Sequence, residues 1–145
     1  MRGLWIAKAP CCRRKQATEA PTGWIEPSNV MFRYVYRDGS NWKAFGAVVF
    51  GGSQKMRLDL AERRIREACE EGCLFIAHQV DIPEVFLWLV YDLYEDDHCW
   101  HEFLGLELTT APVTDAKRRN LRQLVQEFTR ASAAGWQTFE PAERL

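Results

Sequence analysis

Between Glu67 and Asp115 the chain has neither lysine nor arginine, although acids recur from Glu70 and Glu71 through Asp92, Glu95, Asp96 and Asp97 to Glu102 and Glu107. That segment carries twelve acidic residues, while the pieces on either side, residues 1–66 and 117–145, are net basic. The net charge of -1 therefore conceals a strong asymmetry. An acidic middle third disfavours direct nucleic-acid binding, because a phosphate backbone recruits a basic stripe. The basic clusters Arg63-Arg64-Arg66 and Lys117-Arg118-Arg119-Arg122 read as solvated helix faces. Either the acids are neutralised by neighbouring basic segments, or they form a surface for a basic partner.

Other absences narrow the field. No run approaches the roughly 20 apolar residues of a membrane span; the longest, Val85 to Tyr91, is far too short. In the opening "MRGLWIAKAPCCRRK", Lys8 and Pro10 break the apolar patch that a secretory leader needs. The cysteines (Cys11, Cys12, Cys69, Cys73 and Cys99) are odd in number and irregular in spacing. Vicinal Cys11 and Cys12 are poorly placed to pair with each other. Reduced thiols in a cytoplasm follow, and without a C-x2-C pair a structural zinc is disfavoured. There is no nucleophile-elbow glycine pattern, phosphate-cradling loop, H-E-x-x-H or EF-hand ladder. No cofactor is implied.

What is present fits one small domain. A chain of 145 residues buries a core without covalent staples. Its six tryptophans are expected to be core or half-buried, because each ring removes a large apolar area from water. Residues 1–30 mix charge, proline and glycine without periodicity and read as a poorly ordered extension. Met31 is the expected start of the compact domain, and would be the initiator if the preceding residues are a mis-called start. The domain is expected over residues 31–139, followed by a tail at 140–145.

"MFRYVYRDGSNWKAFGAVVF" reads as a hairpin, with Gly39 of Asp38-Gly39 supplying the positive φ of its turn. Asp59 to Glu62 has the form of a capping box. Leu60, Ala61, Ile65, Ala68 and Cys69 follow at helical spacing, and Gly72 is the expected stop. Leu74 to Ala77 is a short buried strand, and Val85 to Tyr91 is either a strand or a buried helix. Another strand is expected from His98 to Thr109. Thr114 is placed as the cap of a last helix whose buried stripe is Leu121, Leu124, Val125, Phe128 and Ala131. The order predicts an α+β fold, an antiparallel sheet of four to five strands with two helices packed on one face.

"EDDHCWHEF", Glu95 to Phe103, concentrates the candidate chemistry. On a strand, His98, Trp100 and Glu102 face one way, and Cys99, His101 and Phe103 the other. The histidines then cannot chelate one ion, but Cys99 and His101 share a face that Asp97 could join. That trio is the candidate soft-metal or Cys/His nucleophile site. The alternative is a buried cysteine beside a hydrogen-bonded histidine, with Glu95-Asp96-Asp97 as an exposed acidic turn, and the sequence favours it. His78, alone after an apolar strand, is expected to be satisfied in the core.

The strings "FRYVYRDGSNWKAFGAVVF", "DDHCWHEF" and "EFTRASAAGW" resemble a set of small bacterial proteins of uncharacterised function. The resemblance covers roughly Met31 to Phe139. It implies a stand-alone bacterial cytoplasmic domain and carries no catalytic residues. Two functions are weighed. One is a non-enzymatic interaction module that meets a basic protein through Tyr94, Glu95, Asp96, Asp97, Trp100 and Glu102. The other is a small metal-dependent hydrolase using Asp97, Cys99 and His101. Either is compatible with a homodimer formed through the hairpin edge or surplus aromatics.

Overall fold

A computed structural model describes residues 28–52 and 56–145. The expected extension falls, for residues 1–27, outside the described residues. Four strands, β1 (Asn29–Arg37), β2 (Lys43–Gly51), β3 (Leu74–Phe75) and β4 (His101–Thr109), form one antiparallel sheet in the order β2-β1-β4-β3. Among the described residues two α-helices, α1 (Leu58–Ala68) and α2 (Leu121–Ala134), complete the α+β fold.

The alternation of β1 sets the core. Val30, Phe32, Tyr34 and Tyr36 point inward and are buried. Phe32 lies at the centre, with the rings of Tyr34, Phe50, Phe75, Phe103 and Phe128 around it. α1 contributes Ala61, Ile65 and Ala68, and α2 contributes the stripe expected of it, Leu121, Leu124, Val125, Phe128 and Ala131. Trp136 folds back to donate its indole N–H to the Ala68 carbonyl at 2.9 Å. β1 begins at Asn29, so Val30 belongs to the core and the boundary expected at Met31 falls inside the strand.

Several local expectations are corrected. The helix caps lie elsewhere: α1 starts after Arg57 without a side-chain cap, and Asp59 sits in its first turn paired to Arg57. α1 ends at Ala68, and Gly72 takes its positive φ of 80° in the turn beyond. The cap of α2 is Asn120, in a reciprocal capping box with Gln123. Thr114 bonds the backbone of Val49 on β2 instead. In the hairpin turn Asn41, not Gly39, adopts the left-handed conformation, at φ 73°. Gly39 is needed for close approach, since a Cβ there would lie 2.6 Å from the Cβ of Asp96. Val85 to Tyr91 is neither strand nor regular helix. It is an irregular crossing with one 3-10 turn at Leu87–Leu89. Residues 140–145 are no tail, because Pro141 is buried and Arg144 grips Glu84 with two hydrogen bonds of 2.8 Å.

β4 is two-sided. At its start it pairs with β3 through Glu102 and His101. β3 is only two residues long, so the edge beyond is left to α1. There the β1–β4 register shifts at Arg33/Tyr34, and the extra residue lies between Phe103 and Gly105. Glu62 of α1 accepts the Leu106 N–H at 3.1 Å, and Arg66 donates to the Leu104 carbonyl at 3.0 Å. The bulge returns Leu106 to the buried face with Phe103, where uninterrupted alternation would have placed it outside.

Candidate functional site

The strand expected at His98 starts at His101, so His98, Cys99 and Trp100 lie in the loop before it. This loop and the β1–β2 turn are stitched together. Gly39 donates its N–H to the Asp96 carbonyl at 3.1 Å, and Ser40 its hydroxyl to the Asp96 carboxylate at 2.5 Å. Asp38 accepts the N–H groups of Ser40 and Trp42. Asp97 accepts the Tyr36 hydroxyl at 2.5 Å and the Tyr94 N–H at 2.9 Å. The Tyr36 hydroxyl also receives the His98 N–H at 3.2 Å. Burial, then the bond to Asp97, raises the Tyr36 pKa well beyond its ordinary value, so this phenol is a proton donor to the carboxylate and no nucleophile.

The consequence is that Asp38, Asp96 and Asp97 bring carboxylate oxygens within 4.8 Å of one another. Each also accepts at least one hydrogen bond from the surrounding turns, so the cluster is held by protein donors. Glu95 and Asp92 lie exposed in the same loop. Among the described residues, none of these five acids has a lysine or arginine in ion-pair range. Beside them the chain exposes Leu89, Val90, Tyr91 and Tyr94, with Val90 at 74% and Tyr91 at 69%.

Five of the remaining eight acids of the middle third behave differently. Glu107 pairs with Arg33, Glu102 with Arg37, Asp81 with Lys117, Asp115 with Arg119 and Glu84 with Arg144. Local neutralisation therefore describes these five. Glu67, Glu70 and Glu71, exposed at the end of α1 and in the turn after it, form no ion pair among the described residues, and the 92–97 loop with Asp38 is the larger uncompensated group. Glu102 thus leaves the acidic set predicted from sequence: it is held on β4 by a two-pronged Arg37 contact. Trp100 is half-buried, its backbone N–H donated to His98 Nδ1 at 3.0 Å. Asp38 joins the set from the other side of the hairpin, which sequence spacing alone does not reveal.

Asp97, Cys99 and His101 are drawn to separate places. Asp97 serves Tyr36 and Tyr94. Cys99 is buried against the backbone of Phe139, and burial pushes its thiol pKa up, away from the reactive thiolate. His101 is fully buried among Tyr34, Tyr36, Phe75 and Phe86. Its Nε2 accepts the Val85 N–H at 3.0 Å, which leaves the proton on Nδ1, an atom without a hydrogen-bond partner. Burial lowers its pKa to about 4, so it is neutral at physiological pH. The one triad of ligand atoms within 4.8 Å among the described residues is the aspartate cluster; the Cys/His pair contributes to none. The chemistry that the described geometry supports is charge and ring recognition at the loop. His78, expected in the core, is instead about half exposed beside Glu84.

Two arginines read as solvated prove structural. Arg119 is buried; it meets Asp115 through two nitrogens and donates to the carbonyls of Val80 and Asp81. Arg66 lies 4.7 Å over the Phe103 ring while holding the β4 bulge. A hollow of about 900 Å³ runs along α1; of its charged lining, Arg57 pairs with Asp59 and Arg66 with Glu62. It lies on a different element from the acidic loop.

Comparison with protein-family models, curated proteins and solved structures finds no match. No helix among the described residues is long and apolar enough to cross a membrane.

Proposed function

We propose that this chain is a non-enzymatic protein-interaction module of the bacterial cytoplasm, of the immunity, inhibitor or accessory-factor type. It presents an acidic, aromatic lobe to a basic partner protein. The observation that carries this reading is the company kept by the five acids Asp38, Asp92, Glu95, Asp96 and Asp97. They have no cationic partner among the described residues, and exposed Tyr91 and Tyr94 stand beside them. Aromatic anchors ringed by charge of one sign suit a partner that offers lysine or arginine, which bonds carboxylates and stacks on rings. The lobe is also pre-organised, since Asp97 and Asp38 are fixed by backbone and phenol donors before any partner arrives.

The test is calorimetric titration with a lysine- and arginine-rich peptide. Asp92→Asn with Glu95→Gln removes two exposed charges that make no hydrogen bond or ion pair among the described residues, and Tyr94→Ala removes a ring. Each change is expected to weaken binding about tenfold. Unchanged affinity in both would overturn the proposal.

A further inference from the structure

We infer that the free edge of β2 joins a second copy of this chain, antiparallel about a two-fold axis at Phe45, with Trp42 of each copy seated in a cleft of the other. The inference does not rest on the acidic-lobe reading.

The backbone of β2 shows where the edge is open. Val49 donates its N–H to Thr114 Oγ1 at 2.8 Å and accepts the N–H groups of Thr114 and Asp115, while Gly51 donates to the Arg119 carbonyl at 3.0 Å. Residues 49 and 51 thus turn their peptide groups away from β1, and by the period of two so do Lys43, Phe45 and Ala47. Among the described residues nothing pairs with those three on that side. The other outer edge is short and then covered by Glu62 and Arg66. Lys43 to Ala47 has no proline and no bulge, and its central side chain, Phe45, is 68% exposed. An open, regular, apolar edge of this kind templates another strand.

The side chains select a second copy as that strand. With Phe45 opposite Phe45 across the axis, Lys43 falls opposite Ala47 and Trp42 opposite Val48, so no like charges face each other directly. The outward-facing residues form the hydrogen-bonded pairs. Trp42 and Val48 form a non-hydrogen-bonded pair, the closer kind, about 4.5 Å between Cα atoms. Trp42 keeps register with β1, accepting the Asp38 N–H at 3.0 Å, and its even number places it on the inward face with Val48 and Phe50. It is nevertheless 71% exposed, unlike Trp88, Trp100 and Trp136.

Val48 is one wall of a cleft of about 440 Å³. Its other walls include Ile82 and Pro83 for the ring, Lys117 as a cation for the ring face, and Asp81 as an acceptor for the indole N–H. The knob and the cleft therefore lie six positions apart on one strand, where two-fold pairing brings them together reciprocally. The four rings, about two-thirds exposed at present, contribute about 400–700 Å². The paired edges add to this, toward the roughly 1,200 Å² at which specific interfaces begin. Hydrogen bonding stops at Thr114 on one side and at the hairpin turn on the other, which limits the register.

Sedimentation over a concentration series is expected to show a monomer–dimer equilibrium. Phe45→Lys and Ala47→Pro, the latter removing an outward N–H that β1 does not use, are each expected to weaken it about tenfold or more while leaving the circular dichroism unchanged. Register is read by cross-linking with oxidised glutathione. Phe45→Cys should form a covalent dimer beyond the background of the unaltered chain. Lys43→Cys should do so only when mixed with Ala47→Cys. A monomer at all concentrations, or cross-links that ignore this register, would overturn the inference. Loss of peptide binding in Glu95→Gln with dimerisation intact would leave it standing.

Discussion

At the scale of single residues, the most consequential side chains are buried and ionisable. Arg119 satisfies two backbone carbonyls and the Asp115 carboxylate at once, and its guanidinium lies 5.3 Å over the Phe50 ring. Burial acts to raise the Asp115 pKa, but the hydrogen bonds and charge of Arg119 outweigh it and hold the carboxyl below its usual range. Arg119→Leu leaves that charge and both carbonyls unanswered. A loss of about 3–5 kcal/mol in urea unfolding is expected, with little rescue by Arg119→Lys, which cannot reproduce the fork.

His101 has the same sign of pH dependence by another route. Its folded pKa, about 4, lies below the unfolded value of about 6.5. Between those values the unfolded chain binds the extra proton, so stability from this group is complete above pH 6.5 and lost as pH falls toward 4. The difference corresponds to a contribution on the order of 3 kcal/mol. Glu84, held low by Arg144, and Asp115 also lose stability on acidification, as pH falls through their lowered pKa values. Unfolding midpoints are therefore expected to fall steadily from pH 7 to pH 4. His101 should show no imidazole protonation by NMR at pH 5.5, and a midpoint near 6.5 would contradict its placement.

At the scale of elements, the bulge on β4 is the joint that lets α1 close the sheet. Glu62→Ala removes the acceptor of the Leu106 N–H. A loss of about 1–2 kcal/mol is expected, with faster hydrogen exchange at Leu106 than at the β1-paired amides. Gly46 marks a second contact: a Cβ there would lie 2.5 Å from the Tyr34 ring, whose hydroxyl donates to Pro83 at 2.7 Å. Gly46→Ala is expected to cost about 1–3 kcal/mol in urea unfolding, because ring and hydrogen bond must shift together.

These features explain what was legible in the sequence. The alternation of Phe32, Tyr34 and Tyr36 and the stripe from Leu121 to Ala131 come from local periodicity, and both are where the pattern places them, although Val35 on the opposite face of β1 is buried as well. Thr114 and Asn120 are both good caps by composition, and tertiary bonding to Val49 decides between them. The alternation from His98 to Leu106 fails at both ends. His98 is held outside the strand by Arg37 and Trp100, and the bulge resets the face at Leu106. Asp38 and Asp96 are brought together by the glycine approach at Gly39, a long-range contact with no local signal.

At the scale of the whole molecule, charge segregation in sequence becomes partial neutralisation in space. Arginines and a lysine from the flanking segments cancel Asp81, Glu84, Glu102, Glu107 and Asp115, and the surplus remains at Glu67, Glu70 and Glu71 and, in larger number, at the loop against the hairpin turn. Cys99 and His101 of that region are absorbed into the core, while the acids and Tyr94 remain outside it. Binding through such a lobe weakens with salt, because exposed charges are screened over about 8–10 Å at physiological ionic strength.

The most direct measurement is an amide NMR titration with a lysine- and arginine-rich peptide at low salt. Shifts are predicted at Leu89 to Asp97 and at Asp38 to Trp42, reversed on adding salt. Shifts confined to α1 or α2, or none at the acidic loop, would contradict the account.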